Sequence, residues 1–264
     1  MPEGDTVYRT AHNLHAALAG EVLTSCDVRV PKYATIDLTG ERIASVGSRG
    51  KHLLLRTETA LIHSHLKMEG SWHLYRPGSR WRRPAFEARI VLGTAPWQAV
   101  GFALGKLEVL PLAQEEDVVG HLGPDLLGPD WDAAEAMRRI EEQPDRAIGL
   151  ALLDQRNLAG VGNVYRNELC FLRGVLPTRP VAEVQDLPRM VDLAKRTLEA
   201  NKNRVERTLT GDTRSGRQDW VYGRAGKPCR RCGTRILGGT LGDPVQPGRG
   251  AMDREIYWCP RCQS

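Results

Sequence analysis

The sequence predicts an α+β protein with more than one domain, because three different patterns follow one another along its 264 residues. Residues 1 to about 125 hold many short apolar and β-branched runs between turn signals, which favours a β-sandwich or a barrel. Residues 130 to about 205 repeat apolar side chains at helical spacing, which predicts a helical bundle. From about residue 220 the chain is rich in Gly, Pro and Arg and needs a staple to fold.

The first pattern opens with one amphipathic helix and continues as strands. TVYRTAHNLHAALAG has helical spacing and ends at Gly20. The predicted strands that follow are EVLTSCDVRV, ERIASVGSRGKHLLLRTE (a strand pair), TALIHSHL, SWHLYR, AFEARIVLG, QAVGFALG and KLEVLP. His63 and His65 alternate on one strand face, which favours a structural role over metal ligation.

A linker is predicted between the first two patterns. EEDVVGHLGPDLLGPDWD combines an acidic run with two Gly-Pro-Asp repeats. The helices expected after it are DWDAAEAMRRIEEQ with its Asp cap, RAIGLALLDQ, VYRNELCFLRG and VQDLPRMVDLAKRTLEANKNR.

Charge is unevenly distributed along the chain. The formal net charge is +5, but residues 201–264 hold thirteen Lys or Arg against six Asp or Glu. A basic end on a near-neutral body is typical of a polyanion-binding surface, and nucleic acid is favoured over a role in solubility alone. The sequence has no apolar run long enough for a membrane span and no secretory signal after its first residues, so a cytoplasmic protein is expected.

Four of the six cysteines form two pairs, Cys229-x-x-Cys232 and Cys259-x-x-Cys262, separated by 26 residues. Two chelating pairs of thiolates fill a tetrahedral Zn²⁺ site without an open position, so one structural zinc ion is predicted. The metal would supply the folding energy that this short segment lacks. The gap is longer than usual for paired sites, so an extra loop is expected, and GDPVQPGRGAM is the candidate.

A glycine-containing stretch, Gly160-Val161-Gly162-Asn163, joins two of the predicted helices. The two glycines permit a sharp reversal and close approach of another molecule. Asn163 falls where a helix N-cap belongs, and the free N–H groups of a helix N-terminus can bind phosphate. The alternative is a plain helix–helix turn with an Asn cap.

Taken together, these features resemble the Fpg/Nei family of DNA glycosylases. Four anchors match in order: PEGD at the N-terminus, RGKHLLL, LLDQRNLAGVGNVYRNE, and VYGRAGKPCRRCG followed by REIYWCPRCQ. The resemblance covers nearly the whole chain, and PEGD is similar to the opening of the endonuclease VIII branch.

The family's fold is α+β with several domains. The resemblance implies an N-terminal β-sandwich flanked by helices (1–122), a linker (123–130), a helix–two-turns–helix bundle (131–218) and a zinc-finger β-hairpin (219–264).

The resemblance also implies the catalytic residues. Pro2, once Met1 is removed, presents a secondary amine, and an α-amino group titrates near 7.7–8.0, so a neutral fraction exists at physiological pH. Attack on the sugar would give a Schiff base that supports both base removal and strand cleavage. Glu3 is expected as the general acid/base and Lys51 as a positively charged site residue that contacts phosphate.

Three further residues are expected to contact DNA. Met68 in HSHLKMEGSW matches a loop that fills the gap left by a flipped base, the alternative being a core methionine at a strand end. Asn163 and Arg254 match phosphate-contacting positions of the helical turn and the finger tip. A second void-filling loop of Asp-x-Arg-x-Phe character has no counterpart in GFALGKLEVLP.

The resulting hypothesis is a bifunctional glycosylase/AP lyase that removes oxidised bases, pyrimidines foremost, from double-stranded DNA and cleaves the strand by β,δ-elimination. It would act as a monomer in the cytoplasm, associated with the nucleoid in a bacterium. The alternative is a non-catalytic, zinc-dependent protein that recognises damaged or abasic DNA. A free Pro2 amine and covalent chemistry with DNA discriminate between them.

Overall fold

The chain divides into two units, Met1–His121 and Leu122–Ser264. The computed structural model describes residues 2–242 and 253–264. Met1 and most of the predicted extra loop between the cysteine pairs lie outside the described residues. Within the described ranges, each helix is too short or too polar to cross a membrane.

The first unit is a sandwich of two four-stranded antiparallel sheets, as predicted. The strands are β1 (Ser25–Val28), β2 (Ile43–Arg49), β3 (His52–Thr57), β4 (Ala60–His65), β5 (Ser71–Tyr75), β6 (Ala88–Gly93), β7 (Gln98–Phe102) and β8 (Lys106–Pro111). One sheet has the order β1-β6-β7-β5 and the other β2-β3-β4-β8. Their inner faces share one apolar core, to which Leu53, Ile62, Trp72, Ile90 and Ala99 contribute.

Helix α1 (Gly4–Leu18) packs against β2 and β3 through a stripe of apolar residues. Val7, Ala11, Leu14 and Leu18 recur at helical spacing and are buried in the sandwich core. The helix begins two residues before the predicted start, because Glu3 takes the N-cap position.

The segment predicted as a linker makes contacts within each of the two units. Its first part forms the short helix α2 (Glu115–Val119), and Arg56 of β3 donates from Nε to the carboxylate of Glu115 at 2.5 Å. Further along, Asp125 is buried and bridges to Ala159 within the second unit. The expected domain boundaries stay a prediction.

The described residues of the second unit include four α-helices over a core of its own. They are α3 (Ala133–Glu141), α4 (Ile148–Leu153), α5 (Asn163–Arg173) and α6 (Leu187–Asn201). The side chains of Asp132 and Asp186 cap α3 and α6 by accepting N–H groups three residues later. The predicted helices are therefore confirmed, with ends that shift by a few residues.

A β-hairpin ends the chain. Strands β9 (Leu237–Leu241) and β10 (Arg254–Trp258) pair antiparallel, with Leu237 opposite Trp258 and Leu241 opposite Arg254. A small cluster that includes Phe171, Val221 and Ile236 joins this hairpin to α5. The helical bundle and the hairpin are thus packed into one unit.

Candidate active site and nucleic-acid interface

Helix α1 and strand β2 run antiparallel, so the N-terminus of the helix reaches the turn after β2. His15 Nδ1 accepts the N–H of Val46 at 3.1 Å. From His15 back to Gly4 the helix rises about 16 Å, and from Val46 the strand advances about 10 Å to Arg49, where the turn that holds Lys51 begins. The residues that precede α1 therefore lie at the same end of the sandwich as Lys51.

The N-terminal residues at this end differ in exposure. Pro2 is half-buried, whereas the side chain of Glu3 is fully buried at the N-cap of α1. The carbonyl of Glu3 accepts the N–H of Val7 at 3.0 Å, which fixes the backbone where the helix starts. A buried carboxylate next to Pro2 provides a group that can hold or release a proton close to that residue.

Lys51 lies in the tight turn between β2 and β3. Gly50 has a φ of 56°, a conformation that suits glycine, and the turn leaves Lys51 half-buried. Burial lowers the pKa of nearby His65 to about 4, and the charges of Lys67 and Lys51 act in the same direction. Cationic side chains therefore dominate the field at this end of the sheet.

Met68 lies in the turn between β4 and β5 at the same end of the sandwich. His52 pairs with His65 across β3 and β4, so the turn that follows β4 and the turn that precedes β3 are neighbours. The side chain of Met68 is 62% exposed, which excludes the alternative of a core methionine. Lys67 turns the chain with a φ of 55°, and its N–H donates to His65 Nδ1 at 3.0 Å.

A chain of polar side chains runs across the outer face of the second sheet behind Lys51. His52 Nδ1 lies 2.8 Å from His63 Nε2, and His63 Nδ1 lies 3.0 Å from Glu108 Oε2. Because the carboxylate can only accept, His63 donates from Nδ1 and accepts from His52. Burial lowers the pKa of His52 to about 3, and the neighbouring His63 and His65 add to this effect. These hydrogen bonds hold uncharged imidazoles next to the Lys51 turn. This is a structural role, as predicted for His63.

In the second unit, the turn before α5 has a different cap from the predicted one. Asn163 is the first helical residue and Gly162 occupies the N-cap, so the prediction of an Asn163 cap is wrong. Gly160 reverses the chain with a φ of 117°, and its N–H donates to Gln155 Oε1 at 3.0 Å. The same glutamine donates from Nε2 to Val161 O at 2.9 Å, which braces the turn.

Three polar side chains of α5 hold strand β10. The carbonyl of Glu255 accepts from Asn163 Nδ2 at 3.1 Å, from Arg166 at 2.9 Å and from Asn167 at 3.4 Å. Sequence reasoning missed Arg166 and Asn167. Their spacing from Asn163, three and four residues, places all three on one face of an otherwise apolar helix and is the signal that could have found them. The Asn163 amide therefore anchors the strand that carries Arg254.

Arg254 lies on this strand, and Glu168 of α5 holds the segment before the first cysteine pair. Arg254 is exposed at the start of β10, and the described residues include no ion-pair partner for it. Glu168 is buried and accepts the N–H groups of Trp220, Val221 and Tyr222 at 2.7–2.8 Å. Burial raises the pKa of Glu168 to about 7, against the three hydrogen bonds, which lower it.

The four paired cysteines meet at one point beside β10. The sulfurs of Cys229, Cys232, Cys259 and Cys262 all lie within 4.8 Å of one another, and they form the only such group of potential metal ligands among the described residues. Sulfurs about 2.3 Å from a tetrahedrally bound ion are about 3.8 Å apart, so this arrangement fits one metal ion. Four thiolates would complete a tetrahedral shell and leave no open coordination position for chemistry.

The class of protein is shown by two family models, both of domains of a DNA glycosylase. The model of the formamidopyrimidine-DNA glycosylase N-terminal domain matches residues 1–104, and that of the formamidopyrimidine-DNA glycosylase H2TH domain matches residues 122–211. The chain belongs to this family, as the sequence motifs predicted.

Curated relatives are similar along the full chain and support the endonuclease VIII branch. "Probable endonuclease 8 2" of Streptomyces coelicolor is 53% identical over 100% of this chain and 94% of its own. "DNA-(apurinic or apyrimidinic site) lyase Nei2" of Mycolicibacterium smegmatis is 54% identical over 100% and 99%. "Endonuclease 8 2" of Mycobacterium tuberculosis is 53% identical over 100% of both chains.

Solved structures confirm the fold. The formamidopyrimidine-DNA glycosylase of Lactococcus lactis, non-covalently bound to DNA containing an AP site, superimposes with a TM-score of 0.80 at 22% identity, covering 99% of each chain. MutM in complex with DNA containing carbocyclic 8-oxo-G gives a TM-score of 0.80 at 21% identity, covering 100% of each chain.

Proposed function

We propose that this protein is a bifunctional DNA glycosylase and AP lyase that acts on damaged double-stranded DNA through Pro2. One observation carries the proposal: the residues before α1 lie at the same end of the sandwich as the Lys51 turn. A nucleophile, a buried carboxylate and a cation are thereby gathered within one unit. Full-length similarity to relatives named endonuclease 8 and AP lyase supports this reaction class.

The reaction follows from a free Pro2 amine. Its nitrogen attacks C1′ of the damaged nucleotide, and the bond from C1′ to the base breaks, with the base leaving as it takes up a proton. Protonation of the sugar ring oxygen by Glu3 opens the ring and leaves an iminium ion. Loss of a C2′ proton then expels the 3′ phosphate, and a second elimination expels the 5′ phosphate. Lys51 stabilises the phosphate charge during these steps.

The proposed DNA contacts belong to both units. Met68 fills the space left by the flipped nucleotide, since an exposed and flexible apolar side chain suits that position. In the second unit, Asn163 and Arg254 contact phosphates of the DNA. The hydrogen bond from Asn163 to Glu255 O keeps the strand of Arg254 in place. Several phosphate contacts make binding fall steeply with salt.

The metal is zinc in this proposal, held by the four cysteines as one structural ion. Its thiolate bonds would fix both cysteine turns and so stabilise the hairpin, and the reaction would require no chemistry from it. Elemental analysis of the purified protein should give one zinc per chain. We also infer action as a monomer in the cytoplasm, where bacterial DNA resides.

Strand cleavage tests the function. Protein whose mass confirms a Pro2 start is mixed with a labelled duplex carrying a single abasic site, and cleavage should leave phosphates at both new ends. The substitution Glu3→Gln should suppress excision of oxidised pyrimidines, whereas Glu21→Gln, beyond the other end of α1, should not. Tight binding without cleavage would favour the alternative, a non-catalytic DNA-binding protein.

A further inference from the structure

A basic surface separate from the Lys51 turn lies on the outside of the β1-β6-β7-β5 sheet, where residues 76–87 connect β5 to β6. We call this segment the arginine loop. Trp81 fastens it to the sheet by packing edge-on against Phe102, with ring centres 5.6 Å apart. The indole N–H of Trp81 donates to Gln98 Oε1 at 2.7 Å. The loop therefore covers the face of the sheet that points away from the sandwich core.

Hydrogen bonds hold the remainder of the loop. Arg83 donates from Nε to Glu87 at 2.6 Å and from Nη1 to the carbonyl of Glu69 at 2.8 Å. The N–H of Arg82 donates to the Tyr75 hydroxyl at 3.1 Å. Since these contacts fix the backbone, the outward-pointing side chains are presented on a preformed surface.

The outward-pointing side chains are mainly cationic. Arg76, Arg80 and Arg82 are exposed, and Arg76 lies over the Trp97 ring at 4.0 Å. Among the described residues no carboxylate pairs with Arg80 or Arg82, whereas Arg83 is neutralised by Glu87. The surface therefore carries positive charge that remains available to an anionic partner.

Phe86 adds an aromatic ring to this surface. It is 81% exposed, although a phenylalanine is usually buried, and the chain has only three. The short helical turn Ala85–Glu87 holds its backbone, and Arg89 donates to the carbonyl of Phe86 at 3.0 Å. Residues Ser79–Ala85 of the loop line an open depression with a volume of about 630 Å³.

The arginine loop returns to the end of the sandwich where Met68 lies. Arg83 binds the carbonyl of Glu69, next to Met68, and the N–H of Ala103 donates to the carbonyl of Glu87 at 2.8 Å. A DNA strand that passes Met68 can therefore continue over Phe86 and along the arginine loop. The path past Met68 rests on the proposed function, whereas the positive charge of the arginine loop and the exposed ring of Phe86 do not depend on it.

We propose that the arginine loop binds single-stranded DNA, with Phe86 stacked on an unpaired base and Arg80 and Arg82 on neighbouring phosphates. Guanidinium groups next to an accessible aromatic ring are the elements that recognise single strands without sequence preference. Duplex DNA fits less well, because its base faces are covered by stacking. The surface would hold an unpaired stretch beside the lesion.

Binding of a lesion-free oligothymidylate, followed by fluorescence anisotropy across a salt series, tests the proposal. The substitution Phe86→Ala should weaken binding by about fivefold or more, while Phe86→Trp should retain it. The double variant Arg80→Gln/Arg82→Gln should lower the slope of log K against log salt by about 1.4. The matched control is Arg138→Gln/Arg196→Gln, which removes the same charge from exposed, ion-paired arginines of helices α3 and α6.

Unchanged affinity in the Phe86→Ala and double-arginine variants would overturn the proposal and leave an acidic protein as the partner. An equal loss in the control variant would overturn it as well, because net charge alone would then explain binding. Thermal melting checks that each variant folds, which we expect because the substituted side chains are exposed. Abasic-site cleavage is measured in parallel: its failure together with Phe86-dependent binding would reject the proposed reaction and support this surface.

Discussion

The side chain of Asn167 on α5 accepts the backbone N–H of Tyr257 on β10 at 2.7 Å. Its amide nitrogen donates to the carbonyl of Asn163 at 2.7 Å and lies 3.4 Å from the carbonyl of Glu255. The residue is fully buried, so these bonds form where water cannot replace them. Asn167 thus fixes the register of the hairpin strand relative to the helix that begins at the proposed phosphate site.

We expect Asn167→Ala to loosen the attachment of strand β10 to helix α5. Loss of a buried amide should lower the free energy of unfolding by about 1–3 kcal/mol and weaken DNA binding. The substitution Asn167→Asp keeps the acceptor for Tyr257 but turns a buried carboxylate oxygen toward the carbonyls of Asn163 and Glu255, so it should be at least as disruptive. Chemical denaturation and binding to an abasic duplex measure both quantities. Equal DNA affinity in the wild-type and alanine proteins would contradict this role.

Glu168 is expected to control the stability of the second unit as a function of pH. Because Gln offers one acceptor oxygen to three N–H groups, Glu168→Gln should cost about 1–3 kcal/mol, and Glu168→Ala more. Between its ordinary pKa of 4.5 and about 7, the folded carboxyl holds a proton that the unfolded one has lost. Wild-type stability should therefore fall as pH rises through this range, and the Gln variant should lack that part of the decline. Denaturation at pH 5 and pH 7.5 measures the difference, and an identical pH response in both proteins would show that Glu168 is ionised when folded.

The first unit should lose stability in mild acid because its buried histidines stay neutral. The pKa of His52 falls from 6.5 to about 3 on folding, so below pH 6.5 the unfolded chain binds more protons. This difference should cost about 1–2 kcal/mol between pH 6.5 and pH 5. The substitution His52→Asn should flatten the pH dependence of thermal unfolding, whereas His12→Asn, at an exposed site on α1, should leave it unchanged. Parallel pH profiles for the two variants would exclude this assignment.

Met68 should contribute to binding of lesions and little to folding. Its side chain is 62% exposed, so Met68→Ala should change the free energy of unfolding by less than about 0.5 kcal/mol. Affinity for a duplex with an abasic site should fall several-fold, since the space left by the flipped nucleotide would stay unfilled. The control Met190→Ala, in the core of the second unit, should instead cost about 2–5 kcal/mol. A stability loss at Met68 comparable to that at Met190 would contradict the wedge assignment.

Short-range patterns predicted the parts of this protein that depend on neighbouring residues. Alternation and helical spacing gave the strands and the main helices, and the spacing of the paired cysteines gave the cluster around Cys229. The Gly162 cap was missed because Asn and Gly are both favoured at that position. The burial of Asp125 could not be predicted, since Gly-Pro-Asp repeats are typical of both open linkers and packed turns.

The remaining features depend on contacts between distant parts of the chain. The hydrogen-bonded chain from Glu108 through His63 to His52 requires the register of three strands. The exposure of Phe86 follows from the way Trp81 anchors the arginine loop. Neither relationship follows from local spacing, although four motifs between the N-terminus and the cysteine pairs predicted the family that the comparisons show.

Borohydride trapping with an abasic oligonucleotide tests the central claim most directly, because reduction makes a Schiff base permanent. Protein confirmed by mass to begin at Pro2 should form a covalent complex, and peptide mapping should place the DNA on Pro2. A variant with one additional residue before Pro2, whose nitrogen is then an amide, should form none. Failure of the Pro2-initiated protein to be trapped, or equal trapping of the extended variant, would contradict catalysis by Pro2.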